Sequence, residues 1–454
     1  MEREEKMSLA PYADQGEYFQ EIGKIVYSNA YKRLAHKSQI IIKPTRDHFR
    51  SRLIHTEEVN QIALSLGRKL KLNLDLITAM VKAHDIGHTP FGHAGERAIQ
   101  LILERELLTR FKIKYPTSEE NKEIFRRNIF HHSLNSARML IKEREFEGIP
   151  RVIIEGVLTH SWSPWKQKSN LITPATYEAQ VVAIADQLAS INHDTEDIIE
   201  GAPYTEYDRE RFARELIESF RKKHRENFYK LENEIHGLIV DKSIERGYGR
   251  QKRIETFVNK IAEDTKEMFK KNNITKMEQA KEFPIYLREE WSNFLNHYET
   301  FIRDLVQERV SWFIARDNMA GALISTVFNH LWPRARSSVT ITQMKLPMFE
   351  REELVKTRYE EKTKYVEHFA NFFNEHYFDE NHNKDFYKVY LKEVRQKQLT
   401  TWDINIRNSF KDKINPDEEK ILTRLVAVID FISGLTDRYC LEIFDEVYQE
   451  FVIT

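Results

Sequence analysis

The sequence predicts an all-α protein, and three observations carry that expectation. Glycine and proline are sparse, 14 and 12 among 454 residues, so few turns punctuate the chain. Apolar residues recur at every third or fourth position over long segments, the period of a helix with one buried face. Alternation of the kind a half-buried strand needs occurs at only two short places, Ser38 to Lys43 and Ser337 to Leu346. The expected organisation is a helical core over residues 1–204, an additional highly charged helical lobe and connecting helices over 205–420, and a C-terminal helix over 421–454 that packs back on the core.

Composition narrows the class of partner. With 41% hydrophobic and 31% charged residues the chain is an ordered globular protein rather than a disordered one. The formal net charge of -1 gives no overall pull toward nucleic acid or an anionic surface. Cys440 is the only cysteine, which excludes an intrachain disulfide and a cysteine-based zinc site. The opening MEREEKMSLA has no apolar signal core, and the longest apolar run, Leu425 to Leu435, is broken by Asp430. Neither export nor a membrane span is expected, and the cytoplasm is the expected compartment.

Taken in order, Tyr27 to Gln39 (YSNAYKRLAHKSQ) reads by itself as an ordinary cationic helix with a solvated face. In Ser51 to Gly67 the apolar stripe Val59, Ile62, Leu66 includes His55, so an imidazole points inward. Arg52 lies one turn before His55. A guanidinium beside a cation needs an anion between them, which points to a phosphate; an ion pair with a nearby Asp or Glu fits equally well.

Next comes HDIGHTPFGHAGE, His84 to Glu96. The run Leu74, Ile77, Met80, Val81 leads into it and places His84 on the buried face, with Asp85 beside it where Gly87 lets the backbone turn. A lone buried histidine is more often a hydrogen-bonded core residue, but an adjacent carboxylate must be paired or bind a metal. A helix resumes at Ala94, which sets His93 and Glu96 at its N-terminus, where anions are favoured and where simple capping is the plainer reading. One helix is expected from Glu123 to Leu140, with His132 facing inward among Phe125, Ile129, Ser136 and Met139, and His131 a third of a turn away.

Leu158 to Asn170 reads as a loop carrying Trp162, Trp165, Lys166 and Lys168, residues able to hold a base and phosphates, although two tryptophans more often anchor a loop. Tyr177 to Asp197 is a helix in which Asp186 lies on the stripe of Ala179, Val182, Ala183 and Ala189. A carboxylate there requires a cation or an arginine. His55, His84, Asp85 and Asp186 together make two imidazoles and two carboxylates. That set suits one divalent ion such as Mn, Mg or Fe, with Co also accommodated and positions left for water and phosphate oxygens; zinc more often has fewer, tetrahedral ligands.

The order His55, His84 with Asp85, and Asp186 resembles the HD-domain metal-dependent phosphohydrolases. The blocks YSNAYKRLAHKSQ, SRLIHTEEV, HDIGHTPFGHAGE, FHHSLNSARML, YEAQVVAIADQ with NHDTED, and DFISGLTDRY narrow the resemblance to the deoxynucleoside triphosphate triphosphohydrolases, the bacterial dGTPases above all. It is strong over Tyr27 to Gly201, returns at Asp430 to Tyr439 and is weak in the charged lobe. It implies an all-α HD-domain core, a homo-oligomer, usually a hexamer, and hydrolysis of a dNTP, dGTP first, to deoxynucleoside and inorganic triphosphate. By the same resemblance the four ligands hold one metal at the α-phosphate, and His93, oriented by Glu96, protonates the departing 5′ oxygen. His88 and His132 line the phosphates, Arg52 contacts a phosphate, and Gln39 and Asp194 lie on the sugar side. Lys166 and Lys168 are further candidates for the β and γ phosphates, and Arg438 falls in a matching block without an assigned role. Relatives commonly carry a tyrosine four residues after the last ligand, against the deoxyribose; this chain has Ser190 there.

Two rival readings share the ligand set. One is another HD-type nucleotide phosphohydrolase, a nucleotidase acting on monophosphates. The other is a regulator responsive to a nucleotide or to single-stranded nucleic acid, for which the basic clusters Arg221 to Arg225, Arg246 to Arg253 and Arg334 to Arg336 would supply a polyanion surface.

Overall fold

The computed structural model describes residues 16, 18–39, 50–110, 116–166, 173–200, 207–240, 248–275, 277–337 and 416–452. These form helices joined by short turns, with one isolated antiparallel bridge, Ser38 to Ser51, and no strand among the described residues. The expected all-α class is therefore observed. Of the two places where extended chain was expected, residues 40–43 and 338–346 lie outside the described residues, and Ser337 ends a helix. No described helix is long and apolar enough to cross a membrane.

The chain divides into two compact units, each built from separated stretches. The first comprises residues 1–86, 139–141 and 145–317. Its described helices include α1 (Phe19–Tyr27), α2 (Asn29–Arg33), α3 (Arg52–Leu70), α4 (Leu74–Ala83), α8 (Arg151–Thr159) and α9 (Tyr177–Glu200). The cationic segment expected as one helix is instead α2 followed by a single 3-10 turn, because Ser28 caps α2 by accepting from Tyr31 N and the bridge at Ser38 draws the chain out. Asn73 starts α4 in the same way, its side-chain oxygen accepting from Asp75 N and Leu76 N, both at 3.1 Å.

Helix α9 packs against α3 and α4 and is buried on nearly every side: Val181, Val182, Ala183, Ile184 and Ala185 are all fully inaccessible. A helix of small and apolar residues can be surrounded in this way. The charged segment after it is helical as expected, with α10 (Arg209–Lys223), α11 (Arg225–Val240), α12 (Tyr248–Lys271) and α13 (Glu289–Asp304). Aromatic edges fill its interior; Phe220 meets Phe294 at 5.3 Å and Phe212 meets Phe301 at 5.4 Å between ring centres. Glu196 of α9 is fully buried and ties α10 and α12 to that helix through Arg209 and Arg253, each at 2.9 Å.

The second unit comprises residues 87–138, 142–144 and 318–454. It contains α5 (Gly92–Arg110), α6 (Glu119–Ile129), α7 (His132–Lys142), most of α14 (Ser311–Ser337), α15 (Pro416–Gly434) and α16 (Asp437–Val452). The single helix expected over Glu123 to Leu140 is two. Phe130 is extended, with φ −158° and ψ 129°, and side chains from α5 take up backbone groups at the interruption. Gln100 Nε2 donates to Phe130 O at 2.8 Å, and the Glu96 carboxylate accepts from His132 N at 3.1 Å, capping α7. These partners lie thirty or more residues upstream, so the local helical period could not reveal the break.

In the charged lobe, His297 offers a check on packing. Burial and the neighbouring His224 charge lower its pKa to about 4, and its Nε2 lies 2.8 Å from Ser219 Oγ. The fold therefore favours neutral imidazole, so this contribution to stability is present above about pH 6.5 and is lost as pH falls toward 4. Urea midpoints measured from pH 7 to pH 4 should fall less steeply in His297→Gln, which keeps a partner for Ser219 and does not titrate.

Candidate metal centre and histidine cluster

Three residues of the first unit, His55, His84 and Asp85, bring their donor atoms close enough to hold a metal ion, and Asp186 lies within 3.8 Å of both imidazoles. His55 comes from the buried face of α3, His84 is the residue at which α4 ends, Asp85 follows it, and Asp186 lies midway along α9. His55 Nε2 is 2.9 Å from Asp186 Oδ1 and 3.9 Å from Asp85 Oδ2; His84 Nε2 is 3.8 Å and 3.7 Å from the same two oxygens. Ligands about 2.1 Å from one ion stand about 3 Å apart at right angles and about 4 Å apart across it, and the observed spacings fall in that range.

The chemistry of the donors fits a cation. His84 Nδ1–H donates to Val81 O at 2.7 Å, which leaves the lone pair on Nε2, and that buried atom has no hydrogen-bond partner. Burial disfavours the charged form of Asp186, yet the imidazoles around it, His55 at 2.9 Å first and then His84, hold its carboxyl well below the usual range. It is ionised and ready to ligate. Of the four side chains, Asp186 is 19% exposed while the others are at most 3% exposed, so solvent reaches the centre on the Asp186 side.

Arg52 lies beside this set. Its Nη1 donates to Asp85 Oδ2 at 2.6 Å, the acid-paired alternative of the two left open by the sequence. Its Nε and Nη2 are buried without a hydrogen-bond partner among the described residues, so two donor nitrogens remain for an anion. Asp194 Oδ1 accepts from His193 Nδ1 at 2.9 Å, and burial pushes the Asp194 carboxyl up to about 7. Gln39 is half-buried and its Oε1 has no hydrogen-bond partner. Lys166 pairs with Glu299, and Trp162 and Trp165 are buried anchors of the loop. Ser190 is half-buried, and Lys168 lies outside the described residues.

Two histidines absent from the sequence reading also belong to the first unit. His193 is fully buried with its Nε2 2.7 Å from His55 Nδ1, and His160 packs edge-on to His84 with ring centres 5.1 Å apart. Helical spacing could have found both. His193 is two turns after Asp186, and His160 follows Ile153 and Val157 on one stripe.

The second unit holds the other sequence candidates. Glu96 is buried, accepts from His132 Nδ1 at 2.7 Å and lies 3.7 Å from His131 Nε2 and 4.0 Å from His93 Nδ1. Burial works against its charge, but His131 and His132 hold its carboxyl well below the usual range. His131, expected to point away, is thus part of the cluster, because the break at Phe130 rotates it inward. His93 is 60% exposed, the outermost member. His88 and His132 stack with ring centres 4.4 Å apart and planes 13° apart. One donor atom each from His88, His93, Glu96 and His132 lies within 4.8 Å of the others, so this cluster too has donors spaced for a cation.

The turn before α5 is fixed from the C-terminal block. Phe91 and Gly92 are both left-handed, φ 61° and 59°, and the Phe91 N–H donates to Asp437 Oδ1 at 2.8 Å. Gly87 and Gly95 admit no side chain: a Cβ would lie 2.2 Å from Ser136 N and 2.0 Å from Pro90 O. Arg138 forms a two-pronged pair with Asp430, each bond 3.0 Å. DFISGLTDRY therefore acts through its acids, while Arg438 is exposed and pairs with Glu442.

Residues 52–191 match the HD domain. This part of the chain is an HD domain. Relatives of the whole sequence carry the name deoxyguanosinetriphosphate triphosphohydrolase-like protein. That of Caldanaerobacter subterraneus subsp. tengcongensis is 38% identical over 181 residues, 39% of this chain and 44% of the relative. That of Clostridium tetani is 36% identical over 179 residues, 39% and 44%, and that of Desulfatibacillum aliphaticivorans 34% over 213 residues, 45% and 52%. The chain spans about half the length of these curated relatives.

Two measurements bear on this geometry. Mn2+ should raise the melting temperature of the protein, and His84→Ala should remove that rise, since the Nε2 donor is lost. Asp437→Ala leaves Phe91 N–H unpaired and should cost about 1–3 kcal/mol in urea unfolding, whereas Asp437→Asn, still an acceptor, should cost less.

Proposed function

We propose that the protein is a metal-dependent phosphohydrolase of the HD type that converts a deoxynucleoside triphosphate, dGTP first among them, to deoxynucleoside and inorganic triphosphate. The observation that carries this reading is the four-residue donor set with a buried arginine beside it, two of whose nitrogens have no partner among the described residues. A cation alone would be served by the acids; the extra donors call for an anionic ligand next to the cation, and a phosphate is one. The names of the relatives support the substrate class.

A divalent ion bound to His55, His84, Asp85 and Asp186 would neutralise phosphate charge and polarise a water. The chain's own groups do the rest. Arg52 directs Nε and Nη2 at a phosphate oxygen and holds it against Asp85. His93 gives its proton to the 5′ oxygen as the bond from that oxygen to phosphorus breaks, a task for an exposed imidazole near neutral pH. Glu96 keeps His131 and His132 in place and lies 4.0 Å from His93. His88 and His132 serve the phosphate chain, and Gln39 and Asp194 the sugar side. Lys166 must leave Glu299 to reach a phosphate, and Lys168 is kept as a candidate for the same task. Ser190 in place of a ring weakens exclusion of a 2′-hydroxyl. The enzyme works as a homo-oligomer in the cytoplasm, with Mn, Mg, Fe or Co as its ion, and a nucleotide or single strand as effector.

The test is a panel of dNTPs and NTPs assayed with Mn, Mg and Co, with products identified. Triphosphate and deoxynucleoside are expected from dGTP, and His93→Ala should lower kcat about 10²- to 10⁴-fold. Stepwise release of orthophosphate would instead mark a nucleotidase, and binding without turnover a regulator.

A further inference from the structure

His55 differs from His84 in how its second nitrogen is held. In His84 that nitrogen donates to a backbone carbonyl, Val81 O, an acceptor no substitution removes. In His55 it faces a side chain: Nδ1 lies 2.7 Å from His193 Nε2, with the two rings nearly perpendicular at 87°. Two imidazole nitrogens at that distance attract only if one of them carries the proton. The other end of His193 decides which. His193 Nδ1 lies 2.9 Å from Asp194 Oδ1, and when Asp194 is ionised it can only accept, which sets the His193 proton on Nδ1 and leaves its Nε2 as a lone pair. His55 Nδ1 must then be the donor, and His55 Nε2, 2.9 Å from Asp186 Oδ1, would keep its lone pair for a cation shared with that carboxylate.

We propose that His193, braced by Asp194, is the positioning residue of the metal centre, accepting the His55 Nδ1 proton and so fixing the tautomer and ring plane in which His55 Nε2 ligates the cation. The proposal rests on the metal-centre reading given above and extends it to two residues outside the donor set. Both His55 and His193 are at most 1% exposed, so water does not substitute for the lost partner. Asp194 thereby has a first duty inside the protein, through Oδ1, distinct from any contact with a sugar.

The test is the affinity of the purified full chain for Mn2+, read from the free-ion EPR signal without substrate. His193→Asn is too short to reach His55 and should weaken Mn2+ about 10- to 100-fold. His193→Gln can accept from His55 and donate to Asp194, and should bind within a small factor of the unaltered chain. Asp194→Ala, which leaves both imidazoles, should weaken binding by less than His193→Asn and serves if that variant does not fold. Equal affinity of the Asn and Gln variants, or an Asp194→Ala variant as tight as the unaltered chain, overturns the proposal while the metal centre stands. If the unaltered chain takes up no Mn2+, or His84→Ala binds it equally well, the metal centre itself falls and this proposal with it.

Discussion

Two acids that cannot remain buried alone, Asp85 and Asp186, set the terms for the first unit. Charge in a low-dielectric interior has to be answered locally, and each neighbouring element supplies part of the answer. Helix α3 contributes His55 and Arg52, the end of α4 contributes His84, and α9 carries Asp186 between small residues that let it approach all of them. The compensation is incomplete by design of the donors. One imidazole nitrogen and two guanidinium nitrogens have no partner among the described residues, room that a cation and an anion would fill.

The second unit solves a different problem, that of holding several imidazoles together. One carboxylate, Glu96, sits among His93, His131 and His132, and stacking of His88 on His132 fills the remaining space. The elements that carry these rings are themselves pinned from far along the chain. Asp437 holds the left-handed pair Phe91 and Gly92, Asp430 holds Arg138, and Asn135 Nδ2 donates to Gly87 O and Ser433 Oγ. The last described segment is thus part of the site's scaffold although none of it belongs to the HD match over 52–191.

Much of this was legible in the residues. Helical period alone placed His55, His84 and Asp186 on buried stripes, and the cost of a buried carboxylate turned those positions into a ligand set. The choice between phosphate and acid at Arg52 was not legible, because both partners satisfy a guanidinium and only geometry shows one N–H on Asp85 with two left over. The break at Phe130 escaped because its stabilising partners, Gln100 and Glu96, are remote in sequence. His193 obeys the same spacing rule as Asp186, whereas the sugar-side role of its neighbour Asp194 comes from the family resemblance and from no helical period. Arg438 is a candidate only through the block that resembles the family, whereas the groups of that block that hold the scaffold are its aspartates.

Glu96 has two employments, and that changes what its loss would mean. Its carboxylate not only faces three imidazoles but also receives the first amide of α7, so removing it would fray the helix that carries His132, Asn135 and Arg138. An inactive Glu96 variant would therefore report a disordered scaffold as readily as a missing chemical group. His93, at the rim and 60% exposed, offers the cleaner genetic probe of the chemistry.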